Sequence, residues 1–204
     1  MKDWFDDRVA ESPPPRRSAG DWAAVVVGLC GVGMPTEQID PVVAEAVADH
    51  AVRVLASGGS VVLSSDDPLR HTPAVAALVD VAAGPTLGHG QRIETPGLHL
   101  MNAAGADRLE TLTGLGGTGA EVVVTTSPGP GQRYVPVLRL SSTGAPGAAD
   151  ADLVLGDDEF DGGSAQSAVT GLVAEVLEGR RTVAAHRSGD EGFQFTRGLL
   201  GVSL

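Results

Sequence analysis

The tightest constraint on the fold comes from short stretches that are apolar at every position, not at every second one. Ala23-Ala24-Val25-Val26-Val27-Gly28-Leu29, and the apolar centres of Ser60-Val61-Val62-Leu63-Ser64 and Glu121-Val122-Val123-Val124-Thr125, are such runs, rich in β-branched residues and of strand length. A strand with one wet face alternates apolar and polar side chains. An unbroken run belongs to a strand covered on both sides, as in parallel sheets sandwiched between helices.

Helix signals fall between these runs. Asp40-Pro41 supplies an N-cap and a first-turn proline for a helix whose Val43, Val47 and Val54 share one face, and Gly58-Gly59 closes it. Thr72-Pro73 opens a second helix through about Val81, and a loop marked by Gly84, Pro85, Gly88 and Gly90 follows. Leu98 to Met101 then reads as a strand and Asp107 to Leu115 as a helix. After a Pro/Gly loop at 127–131 come strands at Val135 to Ser141 and Asp152 to Leu155, then a helix from about Ser164 to Leu177. Right-handed crossovers make such an alternation a doubly wound, Rossmann-like α/β domain: a mostly parallel sheet with helices on both faces.

This single domain is expected over residues 22–204. Residues 1–21, with Ser12-Pro13-Pro14-Pro15-Arg16-Arg17, read as a flexible Pro-rich leader in which Trp4 and Phe5 are the only large apolar anchors. The stretch from Gly189 to Leu204 reads as an irregular segment that packs back. Aromatics make up only 3% of the chain, so the core must be close-packed aliphatic layers.

The formal charge of −12 repels phosphate backbones and anionic headgroups, which argues against nucleic-acid and membrane partners. It also means that an anionic ligand needs a local cationic group or a metal ion. Cys30 is the one cysteine, which excludes an internal disulfide or a cysteine zinc cluster and fits a reducing, cytoplasmic compartment. No apolar run approaches the roughly 18–20 residues that span a bilayer, and the N-terminus lacks the basic-then-apolar order of a signal peptide.

In open α/β sheets ligands bind outside the carboxyl ends of the strands. The loops expected there are Cys30-Gly31-Val32-Gly33, Ser64-Ser65-Asp66-Asp67, Thr125-Thr126-Ser127-Pro128-Gly129 and Ser141-Ser142-Thr143-Gly144. Their convergence would gather a thiol, two carboxylates and several hydroxyls, with Gly31, Ser64, Ser142 and Thr143 as substrate-binding candidates. Each element also has a plainer reading. Cys30 either acts as nucleophile or ligand or simply packs. Asp66 and Asp67 either ligate a divalent cation through hard oxygens or cap the next turn. His71, His89 and His99 lack the spacing of a helical metal pair, and His89, between Gly88 and Gly90, is the one placed to act on a ligand. Gly28 to Gly33 resembles a dinucleotide turn but lacks G-x-G-x-x-G, and Pro35 interrupts entry into a helix.

The same loops resemble the large subunit, or C-terminal catalytic region, of the altronate/galactarate (sugar-acid) dehydratases. Val27-Gly28-Leu29-Cys30-Gly31, Asp40-Pro41-Val42-Val43 and Ala56 to Ser64 are similar to the family's G-L-x-C-G-G-S-D, N-P and G-G-T-V-I-L-S-E-T-P-E. Pro96 to Asn102 resembles G-x-x-x-M-D-T-P-G, Gly116 to Thr126 resembles G-G-A-x-V-V-x-F-T-T-G-R-G, and Pro136 to Leu140 resembles P-V-I-K-V. Gly179-Arg180-Arg181-Thr182 and Gly192 to Phe195 parallel G-K-K-T and G-x-x-E-F.

The resemblance implies a hydro-lyase acting on a sugar acid or related hydroxy acid. Such an enzyme abstracts a proton α to the carboxylate and expels the β-hydroxyl, with a divalent metal, usually iron(II), as cofactor. Cys30, Asp66, Asn102, Thr125 and Thr126 occupy the matching loops. The expected catalytic set is therefore Cys30, His89, Asn102, Thr125 and Thr126, and the expected metal ligands are Asp66 and Asp67. Residues 1–22 hold no counterpart of the family's small N-terminal domain, so the expected partners include a separate small metal-binding subunit and further copies of the chain.

The chain departs from the family pattern where Gly31-Val32-Gly33-Met34 follows Cys30, where Pro128 stands for an arginine and Asn102 for an aspartate, and in the short stretch from Pro68 to Gly97. These departures define the alternative, a family member that has lost catalysis and acts by binding or regulation.

Overall fold

The computed structural model describes residues 22–102, 107–132, 134–156, 162–189 and 191–192. The expected leader at 1–21 and the tail beyond Gly192 lie outside them. Among the described residues the strands are β1 (Val26–Cys30), β2 (Ser60–Ser64), β3 (Gly97–Met101), β4 (Val122–Thr125), β5 (Gly131–Gln132), β6 (Val137–Ser142), β7 (Leu153–Leu155) and β8 (Glu191–Gly192). The helices are α1 (Pro41–Ala56), α2 (Pro73–Ala82), α3 (Arg108–Gly117), α4 (Gly162–Leu177) and α5 (Ala184–Ser188). Six strands form one sheet in the order β3-β2-β1-β4-β6-β7. Every pairing within it is parallel, with Gly28 opposite Val62 on one side and Val123 on the other. The doubly wound α/β fold expected from the sequence is the fold observed.

Burial explains the apolar runs. Val27, Leu29, Val61, Leu63, Val122, Val124, Leu138 and Leu140 point into one core with Val43, Val47 and Val54 of α1 and Val169 and Val173 of α4. Cys30, Val62, Met101, Val123 and Val137 face Leu112 and Leu115 of α3 on the other side. Both faces of the central strands are dry, so alternation has no use there.

Element ends follow local chemistry. Asp40 accepts the Val42 N–H at 2.8 Å and Asp107 the Glu110 N–H at 2.9 Å, each capping a helix start. The strand expected from Ala23 begins at Val26 instead, because Ala24 adopts a φ of 61° in a turn closed by Val25 N–H to the Trp22 carbonyl. Likewise β6 starts after Pro136, which has no N–H to donate to a ladder. The segment after α2 runs beside β3: Ala83 bridges Leu98 and Leu87 bridges Met101, both in parallel sense. The pairing of Gly131-Gln132 with Glu191-Gly192 had no sequence signal, since neither dipeptide carries a strand pattern.

His50 ties α1 to α4. Its ring hydrogen-bonds the Thr170 hydroxyl at 3.1 Å and meets Trp22 edge-on at 5.4 Å. Burial, helped by the nearby Arg53 charge, pulls its pKa down to about 4, so the imidazole is neutral.

Candidate functional site

In the strand order, the chain reverses its direction of winding between β1 and β4, and their loops separate at that point. Cys30 is opposite Thr125, and the Thr126 N–H donates to the Cys30 carbonyl at 3.2 Å. Two strand-end loops of the expected site therefore meet, and a third joins them through Asp67. The Gly31 N–H donates to both Asp67 carboxylate oxygens, at 2.9 and 3.0 Å, and the Leu69 N–H donates to one of them at 2.9 Å. A Cβ on Gly31 would sit 2.8 Å from Asp67 Oδ1 and 2.9 Å from Leu69 Cγ, so only glycine fits there.

This geometry makes Asp67 a cap and a cross-loop clamp, the second of the two roles its sequence admits. Burial pushes its carboxyl up to about 7 against the opposing pull of the Leu69 and Gly31 N–H donors. The Cys30 thiol is fully buried, and burial followed by the Asp67 charge pushes it up to about 12. Burial therefore holds it as the thiol, against the thiolate that a nucleophile or metal ligand requires. Asp66 is exposed, with the Ser65 hydroxyl 3.4 Å from its carboxylate. Among the described residues no three His, Cys, Asp or Glu side chains are grouped as a metal site. The donors expected to hold iron(II) are thus committed elsewhere or scattered, and they do not fit the ion as a set.

Thr125 is turned inward: its Oγ lies 3.1 Å from Ser127 Oγ and accepts the Ser127 N–H at 3.2 Å. Ser64 is buried, with the Asp66 N–H 3.4 Å from its hydroxyl. Thr126 is different. It is 5% exposed, and its hydroxyl has no hydrogen-bond partner among the described residues. It borders a shallow cleft of about 20 Å³ with Ser142, Met34, Gln38, Asp40 and Ala145, on the α1 side of the sheet. Thr143, next to Ser142 in sequence, is exposed and not part of that cleft's lining, and its N–H donates to the Leu155 carbonyl.

Two expected catalytic residues lie away from the β1 and β4 loops. His89 packs on α3, where its Nε2 is 3.3 Å from the Glu110 carbonyl and 2.5 Å from where a Cβ on Gly114 would stand. Asn102, exposed at the end of the outer strand β3, donates its backbone N–H to the Leu87 carbonyl. Both help lay the 84–95 loop along the domain, a consequence of β3 being at the sheet edge and not beside β1.

Arg108 escaped the sequence reading. As the first residue of α3 it crosses the gap between the β1 and β4 loops, with Nε–H donating to Ser127 Oγ at 3.1 Å and Nη1 to the Pro130 carbonyl. The only hint in the sequence is an arginine directly after the Asp107 cap. The chain matches no protein-family model and no curated protein.

Proposed function

We propose that this domain binds a small hydroxy acid at the carboxyl edge of its sheet without turning it over, as a sugar-acid dehydratase-like protein reduced to binding. The observation that carries this reading is the buried Thr126 hydroxyl, which has no partner among the described residues, on a residue that lines the cleft beside Ser142 and Gln38. A buried hydroxyl without a partner is costly, by about 1–3 kcal/mol, and a polyol ligand supplies both the donor and the acceptor it lacks. The neighbouring groups that would drive chemistry, Cys30 and Asp67, are built into the loop scaffold.

The test is calorimetric titration with a panel of aldonic and aldaric acids, run beside an assay for 2-keto acid product. Binding of at least one acid with no product is expected, and Thr126→Val, which removes the hydroxyl at nearly constant volume, weakens it. No binding across the panel rejects the reading.

Product formation in the same assay favours the second reading, a hydro-lyase. Asp66 supports that one, since it lies exposed at the same edge where a small subunit's ligands can join it. The assay is therefore repeated anaerobically with iron(II) and a candidate small subunit.

A further inference from the structure

On the opposite face of β6 from Thr126, a second cleft of about 500 Å³ opens between Arg139, the turn at Ala149 to Ala151, and the short helix α5. Half of its lining residues are alanines, Ala149, Ala151, Ala184 and Ala185, and the polar half is Arg139, Asp150, Arg187 and Ser188. Two of these, Arg139 and Arg187, carry guanidinium groups. In a chain of net charge −12 a pair of arginines on one open cleft stands out.

Among the described residues neither guanidinium has an anionic partner. Arg139 donates to the carbonyls of Asp150, at 3.3 Å, and Gly129, and Arg187 donates to the Thr182 carbonyl. The ion pairs among the described residues involve Arg180 and Arg181 with Glu175 and Glu178. The one carboxylate residue lining the cleft is Asp150; Asp152, beside it, is occupied, accepting the backbone N–H of Arg139 at 3.0 Å and of Ala184 at 2.6 Å. Asp152 thereby fixes β6 to the start of α5 and sets the spacing of the cleft walls. Asp150 is exposed at the rim and pairs with neither arginine.

Carbonyl oxygens position a guanidinium without cancelling its charge, and the N–H groups left over form a planar fork that matches an oxyanion. We infer that the Arg139–Arg187 cleft is a binding site for a small organic oxyanion, a carboxylate or a phosphate group held between the two guanidinium groups. The site is separate from the hydroxyl-lined cleft and shares no lining residue with it: Leu140, Ser141 and Ser142 of β6 border that one, while Arg139 borders this one.

The experiment titrates the full chain, at constant ionic strength, with inorganic phosphate and with succinate, using succinamide as the uncharged control. Tight binding of one of the two anions, absent for succinamide, is expected, and the tighter of the two names the oxyanion. Arg139→Gln and Arg187→Gln should each weaken it by about ten-fold, while Thr126→Val leaves it unchanged. Arg187 is exposed, so its variant folds even if the Arg139 variant does not. Absence of anion binding by the wild-type chain overturns the proposal, and so does binding equal in wild type and Arg187→Gln. Because the readout is anion binding and not hydroxy-acid binding at Thr126, the proposal and the function above fail separately.

Discussion

The backbone N–H of Gly31 is held by both carboxylate oxygens of Asp67, at 2.9 and 3.0 Å, across 36 residues of chain. One side chain thus joins the end of β1 to the turn after β2, and the arrangement needs a glycine at one end and a buried acid at the other. Replacing Asp67 with Ala strands the Gly31 and Leu69 N–H groups in a dry interior. A loss of about 2–4 kcal/mol is expected from urea unfolding. A loss under about half a kcal/mol would show that water reaches these donors.

Asp67 also sets a pH dependence. Its carboxyl is raised from 3.8 to about 7 in the folded chain, so folding favours the protonated form. The stabilisation is complete below the unfolded value and is lost as pH rises through about 7. The unfolding midpoint of wild type relative to Asp67→Asn should therefore fall between about pH 4.5 and 7.5. A difference that stays flat or rises over that window contradicts the assignment.

His50 acts with the opposite sense. Its pKa drops from 6.5 to about 4 on burial, so folding favours the neutral ring. The stability that follows is present above about 6.5 and lost as pH falls toward 4. His50→Gln should remove this acid-side loss, read as the wild-type minus variant difference in urea midpoint. In NMR the His50 Cε1 proton should show no titration near neutral pH.

Cys30 should be silent toward thiol reagents. With the thiol fully buried and pushed up to about 12, the native chain at mildly alkaline pH reacts far more slowly with a maleimide than after guanidinium unfolding. Stoichiometric labelling of the native chain within minutes would mean that the β1 loop opens.

Gly114 and His89 should be coupled. An alanine at 114 gains roughly 1 kcal/mol of helix propensity but meets the His89 ring at 2.5 Å and Met101 Cε at 2.9 Å. Gly114→Ala should destabilise the chain, and His89→Ala should relieve part of that loss, giving an interaction energy of about 0.5–2 kcal/mol in a double-mutant cycle. Additive effects would show that the ring swings clear.

The layers of this fold were legible because burial on both faces leaves its mark on every residue of Val25 to Leu29, Val61 to Leu63 and Val122 to Val124. The caps at Asp40 and Asp107 were legible because a cap acts within three residues of itself. The site was less so. Whether Asp67 ligates or clamps depends on Gly31, far away in sequence, and whether His89 meets a ligand or a helix depends on a glycine of α3. Arg108, Arg139 and Arg187 carry no local pattern at all, since long side chains reach carbonyls that only the folded chain brings near.

The bridges that Ala83 and Leu87 make with β3 bear on how copies of this chain can associate. The Gly84 and Leu87 N–H groups donate to the carbonyls of Leu98 and Leu100, each at 2.7 Å, and the Leu87 carbonyl accepts from Asn102, so that flank offers an incoming strand little to pair with. Among the described residues the other flank of the six-stranded sheet is β7, whose three residues make a short template for edge-to-edge addition.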